Sequence, residues 1–467
     1  MMPTIDDLEQ EYFEKHPTSK KLFERAQNCF ASGVTHDARF AKPFPIYASN
    51  ALGGKKWDVD GNEYVDYVMG HGTLILGYGD ERVVNAFHEQ IPKAIHMGTS
   101  TELEIEWAEL IKKLVPVART GFVRAAACGS EAVSSAIRLS RIYTRRSKIV
   151  IQAGSYHGTS GATLLAYHGP PFGMYNIRGI PSGVKKDVVI VPSNNLSMVE
   201  EQLANGDVAC VLLHCNNLYT KAYVEGLRKL TKQYGTVFIM DEVISGFRYA
   251  AGGAQEYYGV TPDLATLGKV PGGGAPIGVI CGKREILDLY SFKDEYWNRF
   301  VRIASGGTWN AQPLNIVGGI ATMKIILAER DEIYPRLYRI GKRLVKSFND
   351  QAEDLGVAAL ATGLPTENPT ILDIHLFNRP IPAEKMYLWQ TGPTTFDDYV
   401  TKAGYAASSQ ALYATHLAMT NNGVNSFRGT HFFTCVKYLP EDLQTTEAAF
   451  GHALRALKEN ALVPSVK

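Results

Sequence analysis

Four short apolar runs in the middle of the chain, separated by segments of helical character, constrain the fold more than anything else in the sequence. They are Lys148-Ile149-Val150-Ile151, Asp187-Val188-Val189-Ile190-Val191, Val208-Ala209-Cys210-Val211-Leu212-Leu213 and Thr236-Val237-Phe238-Ile239-Met240. None alternates apolar with polar residues, so each reads as a strand buried on both faces, of the kind that lies parallel to its neighbours beneath covering helices. The expected fold class is α/β, with a large domain built on a mostly parallel sheet flanked by helices and a small α+β C-terminal domain. Ligands of such sheets bind beyond the carboxyl ends of the strands, which directs attention to the residues that follow each run.

Around that centre the chain divides into an N-terminal segment (1–65), a large domain (66–325) and a small C-terminal domain (326–467). The first segment reads as a helix, a loop through Arg39-Phe40-Ala41-Lys42-Pro43-Phe44-Pro45, and a hairpin over Lys56–Val65 whose turn is Asp60-Gly61. Leu103, Trp107, Leu110, Ile111 and Leu114 fall at helical spacing, as do Ile333, Leu337, Ile340, Leu344 and Phe348. The stretch 379–400, rich in Pro, Thr and aromatic residues, is expected to be a loop.

Composition narrows the function. With 48 Lys+Arg against 47 Asp+Glu in 467 residues, the net charge is +1, without the basic excess that nucleic acids or anionic membranes require. Six scattered cysteines with no C-x-x-C pair suggest reduced thiols rather than a disulfide scaffold or a zinc ribbon. No run approaches the roughly 18 apolar residues of a membrane span, and the polar, acidic start carries no leader pattern, so a cytoplasmic location is expected. There is no G-x-G-x-x-G after an early strand, no G-x-x-x-x-G-K-[ST] and no G-x-S-x-G, which sets aside dinucleotide, P-loop and hydrolase readings.

The strand ends carry a consistent set of residues. Asp241-Glu242-Val243 follows the last run, and Thr266-Leu267-Gly268-Lys269 precedes Val270-Pro271-Gly272-Gly273-Gly274. Cys128-Gly129-Ser130-Glu131 stands between a strand and a helix, and Ser155-Tyr156-His157-Gly158 follows another strand. Singly, an Asp after a strand is usually a cap, a Lys is usually solvated, and Gly-Ser before a helix is usually a helix start. Jointly they meet the needs of pyridoxal phosphate (PLP). A lysine captures its aldehyde, a carboxylate keeps its ring nitrogen protonated, a helix N-terminus takes its phosphate and an aromatic ring stacks on it.

In Asp241-Glu242-Val243-x-x-Gly246-Phe247-Arg248, Gly253-Ala254-Gln255-x-Tyr257-Tyr258-Gly259-Val260-x-Pro262-Asp263-Leu264 and Leu267-Gly268-Lys269-x-x-Gly272-Gly273-Gly274, the chain resembles the class III aminotransferases of PLP fold type I. Within them it is most similar to the glutamate-1-semialdehyde 2,1-aminomutase-like branch, over roughly residues 20 to 455. The resemblance implies that Lys269 is the Schiff-base lysine and proton shuttle, and that Asp241 pairs with the ring nitrogen. It implies further that Gly129 and Ser130 hold the phosphate, with Tyr156 on the ring and His157 beside the cofactor. Thr308, in Gly306-Gly307-Thr308-Trp309-Asn310, matches a threonine offered to the neighbouring subunit's phosphate, which implies a homodimer with active sites at the interface. Arg39 stands where this branch binds the substrate carboxylate, and Arg428 is a candidate second carboxylate contact. His36 and His71 fall near the same side and are read as bystanders.

Two stretches depart from the family pattern. Ala127-Cys128 precedes Gly129 where a polar pair is usual, and His214-Cys215-Asn216-Asn217 replaces a customary Glu-Pro. Cys210, His214 and Cys215 are read as an altered cofactor loop, and no metal is expected. The expected activity is amino-group transfer between an α-, β- or γ-amino acid and a keto acid, by a ping-pong Schiff-base mechanism. An intramolecular aminomutase remains open, as does a PLP racemase, decarboxylase or lyase.

Overall fold

The computed structural model describes residues 4–167, 169–172, 174 and 178–465; Met1-Met2-Pro3, part of the start searched for a leader, lies outside them. Contacts divide the chain into two compact units, one formed by Glu81–Tyr334 and Tyr387–Ala403, the other by Met1–Asp80, Pro335–Met386 and Gly404–Lys467.

The larger unit is built on seven strands: β1 (Phe122–Ala126), β2 (Lys148–Gln152), β3 (Val188–Val191), β4 (Val208–His214), β5 (Val237–Glu242), β6 (Leu264–Gly268) and β7 (Gly278–Gly282). Their order across the sheet is β1-β7-β6-β5-β4-β2-β3, parallel throughout except for β7, which runs against both neighbours. The apolar runs of the sequence are therefore β2 to β5. Every residue of β4, β5, β6 and β7 is buried, as expected of strands covered on both faces. Ile149, Ile151, Cys210, Leu212, Ile239 and Ile280 pack there against Ala132, Val133, Ala136 and Ile137 of the helix Gly129–Thr144.

Because β2, β4, β5 and β6 are parallel, the residues after them gather at one edge of the sheet. His214, Asp241 and Thr266 lie there side by side in register across three neighbouring strands.

In the smaller unit the hairpin forms as expected between Lys55–Asp58 and Glu63–Asp66. Its turn is closed by the Asp58 carboxylate, which accepts the N–H groups of Asp60 and Asn62. Val424–Asn425 adds in parallel to the edge of Glu63–Asp66, so both ends of the chain share one unit. A three-stranded antiparallel sheet combines Ala359–Leu364, Ile371–Leu376 and His431–Phe433. The N-terminal segment holds two helices where one was expected, Ile5–Lys15 and Pro17–Ala26, with Pro17 starting the second.

The expected loop at 379–400 is corrected: it contains the helices Tyr387–Gln390 and Phe396–Gly404. Thr395 Oγ1 accepts the Asp398 N–H while the Asp398 carboxylate accepts the N–H groups of Thr394 and Thr395, a capping arrangement that overrides the loop-like composition. Among the described residues no helix is long and apolar enough to cross a membrane, and no group of three or more His, Cys, Asp or Glu is placed to hold a metal ion.

Candidate active site

Asp241 sits one residue before the end of β5, 3% exposed, and its two oxygens are differently engaged. Oδ1 accepts from Thr266 Oγ1 (3.0 Å) and from the Val243 N–H (3.1 Å); Oδ2 lies 2.7 Å from His157 Nδ1. A carboxylate at that distance makes Nδ1 the protonated nitrogen of His157. Burial alone would raise the pKa of Asp241, but the hydrogen bond from His157, that ring's electrostatic influence and the Val243 N–H outweigh it and hold the carboxyl below the usual range. One lone pair of Oδ2 is left for a further donor.

His214 packs edge-to-face on His157, with ring centroids 5.2 Å apart. Burial first, then the neighbouring His157 and Lys269, push its pKa down to about 3, so the imidazole is uncharged at neutral pH. The nearby Glu242 is fully buried and turned away to structural partners: it accepts from Ser245 Oγ, Gln255 Nε2 and the Ala254 N–H. Burial raises its pKa to about 7 against those hydrogen bonds.

Lys269 follows β6 directly, in left-handed backbone with φ 61°. A non-glycine residue there is strained and persists only where its surroundings fix it. The fixing contacts are visible. Trp107 Nε1 donates to the Pro271 carbonyl (2.9 Å), and Gly319, on the helix Pro313–Leu355, lies so close that a Cβ would sit 1.8 Å from the same oxygen. Burial lowers the pKa of the lysine, the Asp241 charge partly restores it, and Arg248 lowers it further.

Gly129 opens the helix Gly129–Thr144, whose N-cap Cys128 contributes no side-chain hydrogen bond, so first-turn N–H groups remain available. Ser130 Oγ accepts the Thr159 N–H, and a Cβ at Gly158 would stand 2.2 Å from that same oxygen. Ser130, Thr159, Ser160, Gly306, Asn310 and Arg138 line a cavity of about 370 Å³. Tyr156 is 39% exposed, with its ring tilted against Tyr167. Thr308 is exposed and outside that cavity's lining.

Arg39 belongs to the other unit and lines a separate cavity there together with Arg428; its Nη1 donates to Thr35 Oγ1 (2.8 Å). His36 and His71 lie near each other, with rings 5.1 Å apart, and His71 lines the same cavity as Arg39. The structure thus brings Asp241 and His157 into contact beside Lys269, and Ser130 into contact with the Gly158 turn. Two participants are absent from the sequence-derived set. Thr266 is hidden inside an apolar strand, where its only signal is a hydroxyl near the carboxyl end, and His214 was noted only as a departure from pattern.

These residues fit PLP. His157 Nε2 is buried without a hydrogen-bond partner among the described residues, beside a carboxylate with a spare lone pair. The glycine cradle at Gly129 and Gly158 leaves no space for side chains where a phosphate would approach.

Comparison with known proteins agrees with this geometry. Residues 37–360 match the model of the aminotransferase class-III family. A glutamate-1-semialdehyde 2,1-aminomutase from Saccharolobus islandicus is 40% identical over 347 residues, 72% of this chain and 78% of that one. Among solved structures, an omega-transaminase from Sphaerobacter thermophilus superposes with a TM-score of 0.81 at 29% identity, covering 94% of this chain and 98% of that one. A transaminase with PLP bound gives the same TM-score at 25% identity over 95% of this chain and 99% of that one. A family model that takes in Asp241, Lys269 and the whole seven-stranded sheet leaves one assignment: the chain is a member of the class III aminotransferase family.

Proposed function

We propose that this protein binds PLP and transfers an amino group between a carboxylate-bearing amino acid and a keto acid. The observation that carries the reading is the buried carboxylate of Asp241, held by His157 and Thr266, on the strand next to the one that Lys269 follows. The chemistry supplied by the cofactor is an aldehyde that captures amines and a protonated ring that accepts the electron pair released at the amine-bearing carbon.

The chain's own residues do the rest. Ionised Asp241 holds a proton at the ring nitrogen, while His157 and Thr266 fix the carboxylate's orientation. Ser130 and the N–H groups after Gly129 take the phosphate, and Tyr156 covers the ring. Lys269, with its pKa lowered by burial, is the base; it takes the proton from the substrate carbon and returns it one position away. Arg39 binds the substrate carboxylate as a bidentate fork. Thr308 serves the phosphate of a second subunit, so the working unit is a homodimer.

A second reading is favoured by one finding: the 40% identical relative is named an aminomutase, which suggests that the amino group returns to the same carbon skeleton. The two are separated by giving the enzyme a ¹⁵N-labelled amino acid with an unlabelled keto acid. Label in the second molecule is the expected result. Label confined to the first skeleton supports the aminomutase reading, and no label movement with any carboxylate-bearing amine contradicts both.

A further inference from the structure

His157 is carried by a loop, and little within that loop fixes its ring. The residue stands between Gly154 and Gly158, both in left-handed backbone with φ 75° and 86°. Thr163 Oγ1 ties the turn loosely, sharing one proton among the carbonyls of His157, Gly158 and Ser160. Of the two ring nitrogens, Nδ1 is bonded to Asp241 Oδ2 at 2.7 Å and Nε2 is buried without a partner among the described residues. That bond matters at its other end as well. Asp241 Oδ1 has Thr266 and Val243 as donors, whereas among the described residues Oδ2 has His157 alone. A single hydrogen bond does not stop an imidazole from turning about its Cβ–Cγ bond, where the torsion is broad. A second contact has to hold the ring where Nδ1 meets Oδ2.

His214 makes that contact from the rigid side. It is the last residue of β4, in register with Asp241 on β5, and Cys215 after it donates its N–H to the Asp241 carbonyl (3.1 Å). Its ring meets that of His157 edge-to-face, with centroids 5.2 Å apart and 76° between the planes. His214 makes no side-chain hydrogen bond with another described residue. Buried polar groups are normally paired, so an imidazole kept here without a partner calls for a reason. Burial, His157 and Lys269 together keep it uncharged against the pull of Asp241, so it is no ion-pair partner of the carboxylate. What it offers is a flat ring in a fixed place, and a strand holds a side chain more precisely than a loop does.

We propose that His214 is a positioning residue for the amino transfer: its ring, fixed to the sheet, braces that of His157 and so keeps the Nδ1–H on Asp241 Oδ2. Without the brace His157 turns, Oδ2 loses its internal donor, and the carboxylate is no longer held in one orientation toward a cofactor. The inference rests on the proposed PLP chemistry only for that last consequence; the brace belongs to the protein with or without PLP.

The test compares three substitutions in the full-length protein: His214→Ala removes the ring, His214→Gln fills the place with a polar group that is not a ring, and His214→Phe keeps a ring without nitrogens. The first readout is the far-downfield proton resonance of the imidazole–carboxylate bond, recorded with and without PLP and assigned to His157 by its disappearance in His157→Gln. It is expected in the wild type and His214→Phe, and lost or broadened by exchange in His214→Ala and His214→Gln. The second is turnover of the PLP-loaded forms: kcat is expected to fall about 10–10²-fold in the Ala and Gln variants, the usual effect of a displaced catalytic group, with KM little changed and most of the rate recovered in His214→Phe. A resonance that survives in His214→Ala, or a Phe variant no better than Gln in either readout, would overturn the proposal. Should His214→Ala fail to fold, the comparison of Gln with Phe decides it, since both fill the space. The predicted resonance pattern without turnover in the wild type would count against amino transfer and leave the brace standing.

Discussion

The number of donors that Asp241 can hold while remaining ionised sets what the site can do. Three are internal, from Thr266, Val243 and His157, and the His157 and Val243 hydrogen bonds, with the electrostatic influence of the His157 ring, overcome the penalty of burial. The fourth position is open to a ligand's donor. Asp241→Asn keeps the shape and removes the charge, so PLP should still bind while kcat falls about 10²–10³-fold, the usual loss when one preorganised charge is removed. The same variant should move the acidic limb of the kcat–pH profile to lower pH. Asp241 raises the pKa of Lys269, so its removal frees the lysine base at lower pH; movement to higher pH would contradict the arrangement. Asp241 and Lys269 could be found in the sequence because each stands just past an apolar run, where polar residues are exposed to a ligand rather than to the core. Thr266 could not, since a threonine within Leu264-Ala265-Thr266-Leu267 looks like any β-branched strand residue. The pairing of His214 with His157 depends on the register of β4 and β5 and on a loop from β2, which no local pattern encodes.

At the scale of elements, the Lys269 turn is held by what packs on it. The helix Pro313–Leu355 approaches through Gly318 and Gly319, close enough that Cβ atoms at Gly273 and Gly319 would meet backbone at 2.2 Å and 1.8 Å. On helix propensity alone Gly319→Ala should stabilise by about 1 kcal/mol. Sterics should win instead, with a net loss of about 1–3 kcal/mol from overpacking and weaker PLP binding, both read from thermal melts with and without the cofactor. The strands of the parallel sheet were legible because continuous apolar runs of that length have few other uses. The helices within 379–400 were not, because their signal is the Thr395–Asp398 cap rather than periodicity, and Val424–Asn425 is too short a strand to leave any pattern.

For the whole molecule, the two histidines with the most strongly displaced pKa values act in the same direction. His214 and His416, with pKa values pushed down to about 3 and about 4, are neutral in the native state. Unfolded, they take up protons below about 6.5. The unfolded chain thus binds more protons over that window, and stability must fall as pH drops from about 6.5 toward 4. His416→Phe removes one of these titrations, and the loss of stability between pH 6.5 and 4 should shrink by on the order of 2 kcal/mol in denaturant melts. An unchanged slope would show that His416 does not titrate as its surroundings dictate. A net charge of +1 had set aside polyanionic partners, and it is silent about smaller anions, which first-turn N–H groups such as those after Gly129 can attract locally.

The central claim is that Lys269, working against a cofactor anchored at Asp241, moves an amino group. It is tested most directly by a single turnover of PLP-loaded protein with a carboxylate-bearing amino acid and no acceptor. Loss of the cofactor's visible absorbance and one equivalent of keto product per chain are predicted for the wild type, and neither for Lys269→Ala. Equal product from Lys269→Ala, or none from the wild type with any such amine, would contradict the account.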